Sequence, residues 1–150
     1  MSSPLPRPDR RPLISLVDRA NRALQNHMVE AAHRRGHPEI KHAHNAVFAT
    51  LLEEGTRATD MAARAGITRQ SMGEVIRELV DLGILEMKPD PDDRRAKLVT
   101  YSEAGLEFAR EGNQHLIDLE KRFVEEFGAE EYELVRTFLE RLVPLLDEVE

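Results

Sequence analysis

The chain has 150 residues, of which 41% are hydrophobic and 33% are charged, a composition typical of a soluble, helix-rich globular protein. It contains no cysteine, which excludes disulfides, thiolate metal sites and cysteine-based peroxide sensing. No apolar run approaches the ~20 residues of a membrane span, and residues 1–12 lack the apolar core of a signal peptide. We therefore expect a cytoplasmic protein with a disordered arm, residues 1–12, and a single domain over residues 13–150.

The net charge of −7 is unevenly distributed along the chain. Residues 1–35 carry seven arginines against three acidic residues, a net +4, whereas residues 101–150 carry five basic against fourteen acidic residues, a net −9. Residues 56–100 are balanced, with eight of each sign. Because the acidic residues are concentrated in the last third, a locally basic face elsewhere could still meet nucleic acid, with modest non-specific affinity.

Apolar residues at three- and four-residue spacing predict two helices in the first third of the chain. The first covers about residues 13–35 and ends at Gly36. Pro38 is suited to the first turn of the second helix, which we expect to run to about Leu52.

The next segment predicts a short helix, a glycine turn and a second helix. Thr56 is placed to cap the short helix, and Gly66 supplies the turn. Ile67 is expected to enter the core, and Thr68 to cap a helix over about residues 69–82.

Two strand-like segments, residues 84–88 and 97–101, flank a turn rich in Pro and Asp, which indicates a β-hairpin. Ser102 is placed to cap a long helix to about residue 127, and a last helix covers about residues 130–149, where Pro144 is expected to kink or shorten it. The predicted fold class is mostly α with a small β-wing (α+β). The C-terminal helices are more apolar on one stripe than a monomer of this size needs, so we expect them to pack on a second copy.

The helix over residues 69–82 has a polar outer face suited to DNA. Arginine reaches guanine acceptors and glutamine reads adenine, while hydroxyls at a helix N-terminus suit phosphates. Gly73 lies on this face, and a close approach of DNA would explain a glycine inside a helix. The predicted major-groove contacts are Thr68, Arg69, Gln70, Ser71, Glu74 and Arg77.

The hairpin turn adds paired arginines at a loop tip, where the core does not require them. An arginine there can enter a minor groove, and Asp93 could orient the side chain of Arg95. The alternative is a solvated turn with local ion pairs worth under about 1 kcal/mol. The predicted wing contacts are Asp93, Arg94, Arg95 and Lys97.

Several motifs together resemble the MarR family of winged helix-turn-helix transcriptional regulators over about residues 38–105. They are Asp60-Met61-Ala62, Ala65-Gly66-Ile67-Thr68, Leu79, Gly83-Ile84-Leu85 and Pro91-Asp92-Asp93-Arg94-Arg95-Ala96-Lys97-Leu98-Val99. The chain departs from the family at Thr100-Tyr101-Ser102, where Leu-Thr is usual.

The resemblance implies a homodimer with a winged helix-turn-helix lobe over about residues 38–101 and dimerisation helices over about 13–35 and 102–150. It further implies binding to double-stranded DNA at a palindromic operator, and repression released by a small-molecule effector of aromatic or phenolic type. The family's usual pocket points to His27, Met28, His44, Phe48 and Phe108 as ligand-binding residues, although such a stripe is also typical of plain core.

Five of the six histidines fall between residues 27 and 44, so a zinc-responsive regulator of the same fold is an alternative. Two of them, His42 and His44, are two apart on a predicted helix and cannot share a metal. Glu111 and His115, with Glu107 nearby, offer half a site. We expect no metal and no cofactor.

An enzyme is not expected, because the sequence has no phosphate-binding glycine loop and no nucleophile placed beside a histidine. A winged-helix protein-interaction module that has lost DNA binding is a further alternative. The near-neutral charge of residues 56–100 favours it.

Overall fold

The structure is a computed structural model that describes residues 5–148. Its helices are α1 (Leu13–Arg34), α2 (Asn45–Phe48), α3 (Ala58–Ala65), α4 (Arg69–Asp81), α5 (Glu103–Phe127) and α6 (Ala129–Glu148), and a 3₁₀ turn, His42–His44, precedes α2. The strands are β1 (Leu85–Pro89) and β2 (Lys97–Tyr101). The predicted class, mostly α with a small two-stranded wing, is confirmed. In this part of the chain no helix is long and apolar enough to cross a membrane.

The predicted second helix, Pro38 to Leu52, is wrong in extent. The backbone is extended at Lys41, whose N–H donates to the ring of His44, so helical structure starts only after Lys41. After α2 the chain turns away, and the Leu52 N–H donates to the hydroxyl of Thr56. Leu52, where the second helix was expected to end, is exposed.

Thr56 does not cap α3, and Ile67 does not enter the core. The backbone of Thr56 pairs with Val99 of β2 through two hydrogen bonds of 3.0 and 2.9 Å, which adds a short third segment to the hairpin. Ile67 follows the left-handed Gly66 and is 36% exposed. The cap of α4 is confirmed, because the Thr68 hydroxyl accepts the N–H of Ser71 at 3.0 Å.

The hairpin is antiparallel, with Leu85 opposite Tyr101 and Pro89 opposite Lys97. It is joined to α5 by a tight corner at Ser102, which confirms Ser102 as a helix cap. The Ser102 hydroxyl accepts the N–H of Gly105 at 2.9 Å, while the Ser102 N–H donates to the carbonyl of Ile84 at 3.0 Å. A Cβ on Gly105 would lie 1.8 Å from that same carbonyl oxygen, so only glycine fits here.

Internal contacts divide the chain into two units, one ending at Ala109 and one starting at Arg110. The first unit holds one apolar core, and Tyr101 packs against it. The buried members of that core are Ala32, Ile40, Val47, Leu51, Met61, Ala62, Met72, Ile76, Leu79, Ile84, Leu85, Val99 and Phe108.

The second unit contains the remainder of α5 and the whole of α6. Helix α6 continues past Pro144 to Glu148, so the proline does not shorten it there; the expected end at Val149 lies outside the described residues. Arg136 donates to Glu140 at 3.3 Å and lies 3.8 Å from a carboxylate oxygen of Glu120. None of the residues of α6 is buried within the chain.

The expected N-terminal arm is described only in part. Residues 5–12 are exposed and form neither helix nor strand. Residues 1–4 of the arm lie outside the described residues.

Candidate nucleic-acid interface

Helix α4 divides into a buried and an exposed face, as its amphipathic sequence predicts. Met72, Ile76 and Leu79 are buried in the core of the first unit. Thr68 caps the helix and also donates from its hydroxyl to that of Ser71 at 2.8 Å. All six predicted contacts on the other face are exposed: Thr68, Arg69, Gln70, Ser71, Glu74 and Arg77.

Two of these exposed residues are linked along the helix, since Gln70 Nε2 donates to Glu74 at 3.4 Å. Arg77 lies back over Gly73, where an added Cβ would be 3.8 Å from its guanidinium. That is ordinary van der Waals contact, so the fold of the chain itself does not require glycine at position 73. A close approach of DNA at Gly73 stays a prediction.

The wing tip is closed by its own backbone. The Asp90 N–H donates to Ala96 and the Ala96 N–H to Asp93, both at 3.0 Å. Asp93 accepts the backbone N–H of Arg95 at 3.0 Å. We expected its carboxylate to orient the guanidinium of Arg95, but it stabilises the backbone of the turn instead. Arg94 and Arg95 are exposed at this tip, as is Lys97 at the start of β2.

An ion pair with a buried carboxylate, at the base of the wing, was missed from the sequence. Arg57, just before α3, donates from Nε and Nη2 to one oxygen of Asp90 at 2.8 and 2.6 Å. The other oxygen accepts the N–H of Asp92 at 2.9 Å, and the Asp90 side chain is only 6% exposed. The Asp92 N–H, and after it Arg57, hold the pKa of Asp90 below its usual value, and Asp90 raises the pKa of Arg57. The pair therefore attaches the wing to the start of the helix-turn-helix.

His44, one of the predicted ligand-binding residues, is fully buried and connects two elements. Its Nδ1 accepts the backbone N–H of Lys41 at 3.0 Å, and its Nε2 lies 2.9 Å from Glu78 Oε2 on α4. Lys41 Nζ reaches the same Glu78 oxygen at 3.1 Å. The hydrogen bond with His44, and after it that with Lys41, lowers the pKa of Glu78.

The other predicted ligand-binding residues are only partly brought together. The rings of Phe48 and Phe108 lie 5.2 Å apart, and His37 meets Phe108 edge-on at 4.8 Å, a contact that the sequence did not reveal. His27 and Met28 are half-buried on α1. Phe48, Phe108 and His37 form what we call the aromatic cluster.

The histidines do not form a metal centre in the described part of the chain. Within residues 5–148 no group of three or more His, Asp or Glu side chains could hold a metal ion. His33 instead bonds through Nε2 to the carbonyl of Ile40 at 2.7 Å, and His37 lies 3.5 Å from Glu39.

A helix-turn-helix followed by a two-stranded hairpin with an exposed basic tip defines a winged helix-turn-helix protein. The "MarR family" model matches residues 42–96, the segment that contains these elements. Over 104 residues the chain is 25% identical to the HTH-type transcriptional regulator TcaR of Staphylococcus aureus (strain Newman), which covers 68% of this chain and 69% of TcaR.

Solved structures share the fold. A MarR/EmrR family transcriptional regulator from Acinetobacter sp. ADP1 superposes with a TM-score of 0.74 at 16% identity, covering 91% of this chain and 95% of the other. S. aureus MepR, crystallised in complex with DNA, gives a TM-score of 0.72 at 16% identity, covering 91% and 99%. The winged helix-turn-helix segment of this chain, residues 42–96, thus matches the MarR family, and TcaR, which it resembles over about two thirds of its length, is a transcriptional regulator.

Proposed function

We propose that this chain is a homodimeric, sequence-specific DNA-binding repressor that a small aromatic or phenolic effector releases from a palindromic operator. The observation that carries the proposal is the pairing of an exposed polar face on α4 with an exposed arginine tip on the wing. The MepR–DNA complex, a protein of the same fold, supports it.

In this proposal α4 reads bases and the wing contacts the backbone or the minor groove. Arg69, Gln70 and Arg77 have the donors and acceptors that suit base edges in the major groove. Thr68 and Ser71 are at the N-terminus of α4, where the helix dipole favours phosphate. Arg94 and Arg95 supply the positive charge that a narrow minor groove attracts.

The proposed dimer would cover apolar side chains that the single chain leaves exposed. Ile14 of α1 is 78% exposed and Leu134 of α6 is 65% exposed. Burying a side chain of this size contributes about 1.5–3 kcal/mol, so a second copy is the natural cover. The exposed large apolar residues of the two helices are Leu13, Ile14, Leu16, Val17, Leu24, Leu134, Val135, Phe138, Leu139, Val143, Leu145 and Leu146.

The proposed effector site includes the aromatic cluster, because aromatic rings pack favourably on a flat ligand. A ligand that favours a spacing of the two lobes unlike the operator's would shift the dimer away from DNA. A tenfold loss of DNA affinity requires only about 1.4 kcal/mol of differential binding. An effector screen that moved neither the melting temperature nor the DNA affinity would contradict this part.

The proposal is tested by selecting bound sequences from a pool of random duplex DNA at two salt concentrations. We expect a palindrome with half-sites about ten base pairs apart, bound less tightly as salt rises. If no sequence is enriched with or without added zinc, the alternative of a protein-interaction module is favoured instead.

A further inference from the structure

Three side chains, Lys41, His44 and Glu78, tie α4 to the connection between α1 and α2; we call them the His44 cluster. Because Nδ1 of His44 accepts the N–H of Lys41, the ring proton lies on Nε2 and is donated to Glu78. Glu78 thus has two donors on one oxygen, at 2.9 Å from His44 and 3.1 Å from Lys41.

The two donors are unequal. Lys41 and Glu78 are both well exposed, so their ion pair alone contributes little. His44 is fully buried, and a buried ring nitrogen is costly unless it is hydrogen-bonded. The imidazole therefore restricts where the carboxylate of Glu78 can lie.

Glu78 directly follows Arg77 and lies one helical turn beyond Glu74, both predicted DNA contacts. A helix moves as a rigid element, so the bonds to Glu78 add to the buried face of α4 a second constraint on its rotation about its axis. A rotation error of a few degrees would displace the tips of long side chains such as Arg77 relative to base edges.

We propose that Glu78 is a positioning residue for DNA recognition, which His44 and Lys41 hold so that the outer face of α4 meets the groove in register. The proposal rests on the DNA-binding function proposed above. Neither Glu78 nor His44 needs to touch DNA for this role.

Electrostatics alone predicts the opposite effect of losing Glu78. Removing a carboxylate from a DNA-binding surface reduces repulsion of the phosphates and tightens binding. Asp81 provides a matched control, because it is an exposed carboxylate on the same helix and lies three residues further along.

The experiment compares the full chain with Glu78→Gln and Asp81→Asn on the selected operator and on operators with single base changes. The active fraction of each protein is first measured by stoichiometric titration, and its folding is checked by circular dichroism. A variant that has lost folded protein is then not mistaken for one that binds DNA more weakly. We expect Asp81→Asn to bind as tightly as wild type or more tightly. Glu78→Gln keeps an acceptor oxygen for both donors but loses the charge that strengthens their bonds, so it should bind at least about threefold more weakly than Asp81→Asn and discriminate less between bases.

A second pair of variants distinguishes the two hydrogen bonds of the His44 ring, one with the Lys41 N–H and one with Glu78. His44→Gln keeps an N–H that can reach Glu78, whereas the shorter amide of His44→Asn can accept the Lys41 N–H but does not extend to Glu78. We expect His44→Gln to retain more base discrimination than His44→Asn.

If Glu78→Gln fails to fold, Lys41→Met takes its place, with Lys88→Met on β1 as the control for the lost charge. Lys41→Met should then lose more base discrimination than Lys88→Met. Equal affinity and equal discrimination within the folded pair would overturn the proposal. Failure of the wild type to bind any duplex would instead overturn the DNA-binding function, and this proposal with it.

Discussion

Replacing Gly105 with alanine should destabilise the first unit through a single steric contact. The added Cβ would lie 1.8 Å from the Ile84 carbonyl oxygen and 2.7 Å from its carbon. Reaching even 3.0 Å requires a shift of at least about 1.2 Å, which the dense packing of a protein interior resists. That shift would disturb the Ser102 N–H bond to Ile84 and the bond from residue 105 to the Ser102 hydroxyl.

The expected cost follows from these contacts. Overpacking costs about 1–3 kcal/mol and each weakened hydrogen bond about 0.5–1.5 kcal/mol, while alanine in a helix returns about 1 kcal/mol. With two bonds weakened, we therefore expect Gly105→Ala to lower the free energy of unfolding by about 1–5 kcal/mol.

Urea unfolding followed by circular dichroism measures this value, at one fixed protein concentration because the proposed dimer makes stability depend on concentration. Gly112→Ala is the control: it lies on the same helix, and no heavy atom comes within 4 Å of its added Cβ. It should be neutral or stabilising by up to about 1 kcal/mol. Equal stability of the two variants would refute the role of the Ser102 corner.

Three further predictions concern the cap, the wing and a half-buried phenol. Thr68→Ala should lower the free energy of unfolding by about 1 kcal/mol in urea, because the Ser71 N–H loses its acceptor; no change would show that the cap is dispensable. Asp90→Asn keeps an acceptor for the Asp92 N–H but loses the carboxylate that pairs with the guanidinium, so hydrogen exchange of the wing amides should quicken. Unchanged exchange rates would show that the ion pair between Arg57 and Asp90 does not stabilise the wing. Burial raises the pKa of Tyr101 to about 12, so the unfolded chain loses this proton first, near pH 10, and stability should fall as the pH rises from 10 to 12. Tyr101→Phe should lose less stability than wild type over that interval. If the stability of both proteins fell equally steeply with pH, the raised pKa of Tyr101 would not be the cause.

Local patterns in the sequence predicted most of the elements, because apolar spacing, caps and turn residues act over a few positions. The cap at Thr68, the hairpin and the cap at Ser102 follow from such short-range chemistry. The second helix was overestimated, since its apolar stripe continues through residues that the ring of His44 and the hydroxyl of Thr56 draw into other contacts.

Contacts between distant positions could not be predicted in this way. Arg57 and Asp90 are 33 residues apart, and His44 and Glu78 are 34 apart, so periodicity carries no signal of either pair. The exposed side chains of α4 and the wing tip were easier to identify, because the residue types themselves suit DNA. Gly105 escaped notice because its requirement comes from the Ile84 carbonyl, which only the folded corner brings close.

In the proposed interface α4 reads bases while the wing contacts the DNA backbone or minor groove. This difference in roles is tested most directly by measuring how wild type, Gln70→Ala and Arg95→Ala bind the selected operator and a scrambled duplex across a salt series. We predict that Arg95→Ala weakens binding to both duplexes and reduces the salt slope by about 1, because a charged backbone contact is lost. Gln70→Ala should mainly reduce the preference for the operator and leave the salt slope unchanged. If both variants retained the affinity, preference and salt slope of wild type, the proposed DNA interface would be contradicted.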